Sequence, residues 1–272
     1  MRRFRTATVL ALALALAAAS AQAGVVAYYS FDDETATDLS PNGNHGVEGS
    51  GVVYSPDTPF GTGLSFETPA QGSAHVITVP TSDSLEAIDD QFTLSFWMRA
   101  RLADQGNWVR IFQHGTEANG DQTWLVDRFS STDRTNMRVD TVDDPGPPFV
   151  DGQFNQNIAT GGPTTFDDQW HHLAYVIDNG SFKKFVDGAV TSGSYKHGAG
   201  LANTRPLYMG GRNGTAQYVG LLDEVALYDQ PLDDDLVRML ANGAPPLNIP
   251  EPATVSLLAL GGLALVRRRR RH

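Results

Sequence analysis

The chain has 272 residues, of which 41% are hydrophobic and none is cysteine. The lack of cysteine excludes disulfides, thiolate catalysis, zinc–thiolate centres and iron–sulfur clusters. Of the 20 basic and 31 acidic residues, eight arginines and one glutamate lie in the terminal segments, so the middle keeps 12 basic and 30 acidic residues and a net charge near −18. A surface this acidic repels nucleic acid, which is therefore not expected as a partner.

The first 23 residues are typical of a secretory signal peptide. Arginines at positions 2, 3 and 5 precede an uninterrupted Ala/Leu/Val run over 9–19, which is too short to span a bilayer. Ala21-Gln22-Ala23 matches the small-x-small pattern cleaved by signal peptidase. We therefore predict cleavage after Ala23 and export of the remaining chain.

Residues 24–245 are expected to form one domain made of many short strands. The β-type runs, broken by Gly, Pro, Asn and Asp, lie at 25–31, 75–79, 92–98, 108–112, 124–129, 137–142, 170–177, 182–186, 205–210 and 218–228. In 92–98 every second residue is apolar, which is the period of a half-buried strand. The sequence Asp178-Asn179-Gly180 predicts a tight hairpin turn, because Asn and Gly accept positive φ angles.

Only residues 233–241 have a helical pattern, with Asp233 as a plausible N-cap and Gly243 as a plausible stop. Closely spaced strands with almost no helix predict an all-β sandwich or barrel rather than a fold of alternating strands and helices.

Four segments resemble the laminin G-like, concanavalin A-like domains common in bacterial surface proteins. They lie, in the order of that family, at 29–33 with 38–46, at 92–98 (Phe-Thr-Leu-Ser-Phe-Trp-Met), at 169–175 (Gln-Trp-His-His-Leu-Ala-Tyr) continuing to 185–188, and at 209–212 with 220–228. The resemblance implies a two-sheet jelly-roll sandwich with one short C-terminal helix, in which the first and last strands pair. Residues 107–162 match that pattern only loosely.

The same resemblance implies a structural calcium ion. Ca²⁺ takes six to eight oxygen ligands, and the matching positions would be the side chains of Asp32 and Asp223 with the carbonyl of Asn44 or Gly46. The alternative is that the two aspartates only cap strand ends and bind loop amides.

Other motifs point away from catalysis. His171 and His172 are adjacent on a strand and so point to opposite faces, which prevents them from chelating one ion together. Neither Glu-x-Asp-x-Glu nor Glu-x-Asp-x-x-Glu occurs, and there is no Gly-x-Ser-x-Gly or His-Glu-x-x-His. We therefore expect a protein that is not an enzyme, with a glycoside hydrolase or lyase as the least favoured alternative.

Ligand-binding residues are only weakly indicated. Aromatic rings can stack on the apolar face of a sugar, although strand aromatics are more often core residues. The aromatic candidates are Trp108, Trp124 and Tyr208. Four strand arginines are spaced so that they could line one outer face, with a solvated sheet surface as the alternative: Arg99, Arg110, Arg128 and Arg138.

Residues 246–272 resemble the PEP-CTERM sorting tail of Gram-negative bacteria. Pro250-Glu251-Pro252 is followed by an uncharged apolar segment at 253–266, containing Gly261-Gly262, and by five arginines. The resemblance implies a transient membrane hold by the apolar helix and cleavage near Pro250 by an exosortase-type protease. Release to the outer surface or extracellular matrix would follow. A plain C-terminal membrane anchor is the alternative.

Together these features predict an exported, non-catalytic protein that binds extracellular polysaccharide or a surface glycan. A structural component of the polysaccharide matrix, without a specific ligand, is the alternative.

Overall fold

The computed structural model describes residues 24–115, 123–141, 154–196, 198, 200–212 and 217–249. The predicted signal peptide and the predicted apolar tail lie outside the described residues. In this part of the chain no helix is long and apolar enough to cross a membrane.

Two antiparallel sheets make up the domain, as the resemblance implied. The strands are β1 (Val25–Tyr29), β2 (Val47–Glu48), β3 (Val53–Ser55), β4 (Ser65–Thr68), β5 (Ile77–Val79), β6 (Gln91–Arg101), β7 (Arg110–His114), β8 (Thr123–Arg128), β9 (Thr135–Thr141), β10 (Phe154–Asn157), β11 (Asp167–Asp178), β12 (Ser181–Val186), β13 (Ala189–Ser194), β14 (Leu207–Met209) and β15 (Gly220–Tyr228). The helices are α1 (Asp83–Glu86) and α2 (Asp234–Ala241), and single 3-10 turns form at Ser73–His75, Leu102–Asp104 and Pro246–Asn248.

The eight-stranded sheet has the order β13-β12-β11-β6-β15-β4-β3, and β1 pairs with the second half of β15. The seven-stranded sheet has the order β10-β9-β8-β7-β14-β5-β2. The first and last strands therefore pair, which confirms the predicted jelly-roll closure.

The main core lies between the two sheets. Its residues come from alternate positions of each strand, as the period of β6 predicted: Phe92, Leu94, Phe96 and Met98 are all fully buried. Aromatic rings from the two sheets meet there, with ring centroids 4.7 Å apart for Phe96 and Phe112.

A lysine crosses this core. Lys184 of β12 is 1% exposed, and its Nζ donates to the carbonyl of Thr135 on β9 at 2.5 Å and to that of Gly161 at 3.0 Å. Burial lowers the pKa of Lys184 to about 7. Its bonds tie the eight-stranded sheet to the seven-stranded sheet through a polar contact in an otherwise apolar interior.

Local sequence features form as predicted. Asn179 and Gly180 take positive φ angles of 45° and 85° in the two-residue turn between β11 and β12. Helix α2 begins after Asp233 and is followed by Gly243 at φ 82°. The structure adds α1 and several short edge strands, such as β2 and β3, whose two or three residues carry no readable period.

Helix α2 covers the outer face of the eight-stranded sheet. Its buried residues Leu236, Val237 and Leu240 pack on strand residues such as Val176, and this second apolar cluster extends to Ile249. The phenol of Tyr228 donates to the carbonyl of Pro246 at 3.2 Å. The chain therefore stays packed against the domain up to residue 249, the last residue that the structure describes.

Candidate functional site

The predicted calcium ligands fall into two clusters. Asp32 follows β1 and Asp223 lies on β15, and the charge of Asp32 acts on Asp223. Burial first, and the neighbouring Glu224 second, raise the pKa of Asp223 to about 8. Burial also raises the pKa of Glu224. Sequence reasoning did not include Glu224, the third carboxylate of this cluster.

Asn44 lies in the other cluster. Its side-chain amide donates to the carbonyl of Val26 at 2.7 Å, and its own carbonyl accepts the phenol of Tyr29 at 2.5 Å. Its backbone N–H donates to Asp38, so these groups stabilise the loop after β1. The backbone N–H of Gly46 donates to the carbonyl of Ala36.

Across the described ranges, no group of three or more His, Asp or Glu is arranged to hold a metal ion. Calcium binding stays a prediction.

The adjacent histidines have separate roles. His172 is 1% exposed, and its Nε2 lies 2.9 Å from the hydroxyl of Ser95. Burial lowers the pKa of His172 to about 4, so the ring is neutral at physiological pH. His171 lies between Asp187 and Asp167, and hydrogen bonds to both carboxylates raise its pKa. The two rings thus contact different partners, as the strand geometry predicted.

A group of polar side chains covers the outer face of the seven-stranded sheet. We call it the polar face, and it consists of Arg110, Gln113, Asp127, Asn136, Arg138 and Asp140. These residues lie on β7, β8 and β9 at positions that alternate with core residues, for example Val126 and Val139. Although they point away from the core, each is at most 9% exposed.

One row of cross-strand neighbours shows how the exposure of this face changes from one edge of the sheet to the other. Cross-strand pairs connect, in order, Val47, Thr78, Tyr208, Gln113, Leu125, Arg138 and Asn157. Val47 is 60% exposed, and Asn157 at the other end is also exposed, whereas Gln113 and Leu125 in the middle are buried. Tyr208 is half-buried and sits at the border, directly beside Gln113.

The charges of the polar face are paired. Arg110 Nη1 donates to Asp127 Oδ2 at 2.9 Å, and Arg138 Nη2 donates to Asp140 Oδ2 at 3.0 Å. Asn136 adds a side-chain bond to Asp127 Oδ1 at 3.0 Å. Such pairs hold the side chains in fixed positions in a buried setting, where unpaired charges are costly.

Two acceptors of this face have no hydrogen-bond partner. They are Gln113 Oε1 and Asn136 Oδ1, on side chains that are 2% and 0% exposed. A buried polar group without a partner costs about 1–3 kcal/mol. The face therefore contains two buried acceptors whose hydrogen-bonding capacity is not satisfied.

The three aromatic candidates for sugar stacking differ in their burial and in their neighbours. Trp124 is fully buried in the core, where its ring centroid lies 5.1 Å from that of Phe92, so its interpretation as a sugar-stacking residue is wrong. The period of β8 places Trp124 on the inner side. Trp108 is 36% exposed, contacts Phe129 edge-on, and its backbone carbonyl accepts a hydrogen bond from Arg110 Nη1 of the polar face at 2.6 Å. Tyr208 lies directly beside Gln113 of the polar face.

The four strand arginines do not share one face, and for Arg110 and Arg138 the alternative of a solvated surface is wrong. These two belong to the buried polar face. Arg128 donates to the loop carbonyls of Thr132 and Gly106. Arg99 lies on β6 in the other sheet, where it pairs with Asp57 and Asp168.

The two carboxylates of the polar face lack the spacing of a glycosidase pair. Asp127 pairs with Asn136 across the strands, and Asp140 lies four residues further along β9. Four residues of strand span about 13 Å, beyond the roughly 5–9.5 Å that separates catalytic carboxylates. Each carboxylate is also engaged by an arginine.

Sequence reasoning missed Gln113, Asp127, Asn136 and Asp140. A signal for three of them was present, because Asn136, Arg138 and Asp140 alternate with Met137 and Val139. That alternation marks a polar outer face, but their pairing with β8 depends on a register that one sequence does not reveal.

Comparisons with known proteins agree with this architecture. A family model described as the concanavalin A-like lectin/glucanases superfamily matches residues 71–238, and a PEP-CTERM protein-sorting motif matches residues 248–271. A mouse protein with sushi, von Willebrand factor type A, EGF and pentraxin domains is 24% identical over 205 residues, which are 70% of this chain and 5% of that protein. The rat counterpart matches in the same way. The chain thus spans only a small part of the curated relatives it matches.

Solved structures show the same fold. Domain 4 of an extracellular GH43 arabinanase from Geobacillus stearothermophilus, in complex with arabinotriose, has a TM-score of 0.58 at 22% identity and covers 81% of this chain and 99% of that one. The binding domain of Paraclostridial Mosquitocidal Protein 1 has a TM-score of 0.62 at 18% identity, covering 80% and 52%. A botulinum neurotoxin type C structure, from a toxin whose cell entry depends on two ganglioside molecules, has a TM-score of 0.59 at 13% identity, covering 80% and 51%.

Proposed function

Because the chain belongs to the concanavalin A-like lectin/glucanases superfamily, we propose that it is an exported, non-catalytic protein that binds a glycan on its polar face. The observation that carries this proposal is the pair of buried, unpartnered acceptors, Gln113 Oε1 and Asn136 Oδ1, held in place by two arginine–aspartate pairs. Sugar hydroxyls donate hydrogen bonds and match such acceptors.

The neighbouring residues also suit a sugar. Tyr208 offers a half-buried ring directly beside Gln113, and an aromatic ring complements the apolar face of a pyranose. Charged and amide side chains fixed by mutual bonds lose little entropy when a ligand binds. The offset of Asp127 and Asp140 supports binding rather than hydrolysis.

The sorting motif supports a site of action outside the cell. A PEP-CTERM motif at 248–271 is consistent with export, a temporary membrane hold and cleavage by an exosortase-type protease. The acidic surface of the mature chain favours neutral or cationic glycans over anionic ones. The producing cell's own surface or matrix polysaccharide is the expected partner.

The test is a glycan array with the purified chain, including arabinotriose, a ganglioside and the producing bacterium's own polysaccharide, followed by calorimetry on the best binder. Gln113→Leu removes one acceptor, and we expect a tenfold to hundredfold loss of affinity because about 1.4 kcal/mol corresponds to tenfold. Its free energy of unfolding should change by less than about 1 kcal/mol, because the lost bond to Gly115 offsets removal of the unpaired oxygen.

Gln169→Ala is the matched control, since Gln169 is an exposed glutamine on β11 of the other sheet. It should bind like the parent chain. Absence of binding to every glycan, or equal affinity of the Gln113→Leu variant, would contradict the proposal. Retention in the matrix without saturable binding would favour the structural role instead.

A further inference from the structure

A pocket lies against the outer face of the eight-stranded sheet, the sheet that does not carry the polar face. It encloses about 130 Å³ between β6, β11 and β15 and the segment that follows helix α2. The residues that matter for its chemistry are Tyr28, Phe60, Trp97, His172 and Glu224. This volume suits a small group rather than a whole drug-sized ligand, for which sites reach about 300–1,000 Å³.

Four aromatic rings line one part of the pocket, those of Tyr28, Phe60, Trp97 and His172. The ring centroids of Phe60 and Trp97 are 5.2 Å apart at 76°, and those of Trp97 and His172 are 5.4 Å apart at 65°. Leu240, Pro245 and Pro246 complete the wall with apolar surface. Phe60 is 45% exposed, so the pocket can be reached from solvent at this side.

One carboxylate lies in this aromatic setting. Glu224 sits at a bulge in β15 with φ 51°, an uncommon backbone conformation for a residue with a side chain. Tyr28 Oη donates to Glu224 Oε2 at 2.7 Å, which fixes the side chain. No basic side chain in the described part of the chain pairs with Glu224, whose carboxylate is held by the hydrogen bond from Tyr28.

A further polar group is unused. His172 lines the pocket and is almost fully buried, and its Nδ1 has no hydrogen-bond partner. Its low pKa keeps the ring uncharged, so it does not neutralise the carboxylates or repel a cation. The pocket therefore combines one carboxylate that has no basic partner with electron-rich ring faces.

From these features we propose that the pocket binds a small alkylammonium group, with Glu224 as its counter-ion and the rings of Trp97, Phe60 and Tyr28 around its alkyl substituents. Organic cations are attracted to aromatic faces, and the attraction grows when the site is desolvated. A calcium ion would need six to eight oxygens, which walls made of rings, leucine and prolines do not supply.

The test is calorimetric titration of the purified chain with tetramethylammonium, with tert-butanol as a neutral compound of similar shape. We expect saturable binding of the cation and at least tenfold weaker binding of the alcohol. Glu224→Gln keeps an acceptor for Tyr28 but removes the charge, and it should weaken cation binding at least tenfold. Phe60→Leu, at the exposed rim, should weaken it about two- to fivefold, since an exposed cation–π contact contributes about 0.5–1 kcal/mol.

Glu67→Gln is the matched control, because Glu67 lies on β4 of the same sheet and outside the pocket lining. It should leave cation affinity unchanged, and circular dichroism should show that all variants fold. Nα-acetyl-lysine amide and glucosamine then distinguish a peptide amine from an amino sugar as the source of the group.

Equal binding of tert-butanol, or unchanged affinity in Glu224→Gln, would overturn the proposal. So would calcium binding that depends on Glu224 without any binding of amines. Gln113→Leu should not affect this titration. The proposals for the pocket and for the polar face are therefore tested independently.

Discussion

The outer faces of the two sheets have opposite characters. On the eight-stranded sheet, helix α2 and residues up to Ile249 pack an apolar cluster that includes Val176 and Val237. On the seven-stranded sheet, the corresponding positions of β7, β8 and β9 carry amides, arginines and aspartates. Both faces are buried in the middle, but the residues of one make apolar contacts and those of the other make hydrogen bonds and ion pairs.

The apolar cluster beneath α2 and the polar face are expected to serve different purposes, stability of the fold and recognition of a ligand. Apolar burial contributes stability in proportion to area and needs no exact partner. Buried polar groups contribute little net stability but are costly when unpaired, so they define which ligand atoms fit. We therefore expect substitutions in the apolar cluster beneath α2 to affect folding and substitutions on the polar face to affect binding.

The largest expected effect is on the apolar side. Val237→Asp places a charge in the fully buried contact of helix α2 with the sheet, and it should lower the free energy of unfolding by at least about 3 kcal/mol. Met239→Asp, on the exposed side of the same helix, should change it by less than about 0.5 kcal/mol. Urea unfolding measures both. Equal effects would show that α2 is not a structural part of this face.

A second substitution tests how the two sheets are coupled. Lys184→Met keeps the length of the side chain but leaves the carbonyls of Thr135 and Gly161 without their donor. We expect a loss of about 2–4 kcal/mol in urea unfolding. Lys183→Met is the control, because the adjacent lysine makes only a part-exposed pair with Asp234 and should cost less than about 1 kcal/mol. A stable Lys184→Met variant would mean that apolar packing alone joins the sheets.

The smallest effect is a pH dependence near the start of β11. Asp187 and Asp167 raise the pKa of His171 above its usual 6.5, so the pair stabilises the fold below that pH and the contribution is lost as pH rises through the raised value. Both aspartates are more than a third exposed, so we expect less than about 1 kcal/mol. Other groups, such as Asp223 with a pKa of about 8, add a pH dependence that all variants share. The loss of stability from pH 6 to 8 in thermal unfolding should therefore be larger in the parent chain and in His75→Asn than in His171→Asn, and an equal loss in all three would contradict the prediction.

Much of the fold was predictable because it depends on local chemistry. The alternation in β6 predicted its inner face, Asn179-Gly180 predicted the hairpin, and Asp233 and Gly243 predicted the ends of α2. The pairing of β1 with β15 followed from family resemblance, which supplies the long-range information that periodicity lacks.

The candidate sites were less predictable because they depend on long-range register. Arg110 meets Asp127, 17 residues away, only when β7 and β8 align. The pocket needs Tyr28, Trp97 and Glu224 from three strands far apart in the chain. Trp124 was wrongly expected to be a candidate for sugar stacking. An aromatic residue on a strand can face the core or the solvent, and its type alone does not indicate which.

The burial of Ile249 and the bond from Tyr228 to Pro246 have a consequence for processing. The sorting motif match begins at residue 248, so its first residues are also the last residues of the folded domain. A cut near Pro250, as the resemblance implies, would lie directly after this docked turn, so the access of a protease to that bond would depend on whether the turn is docked.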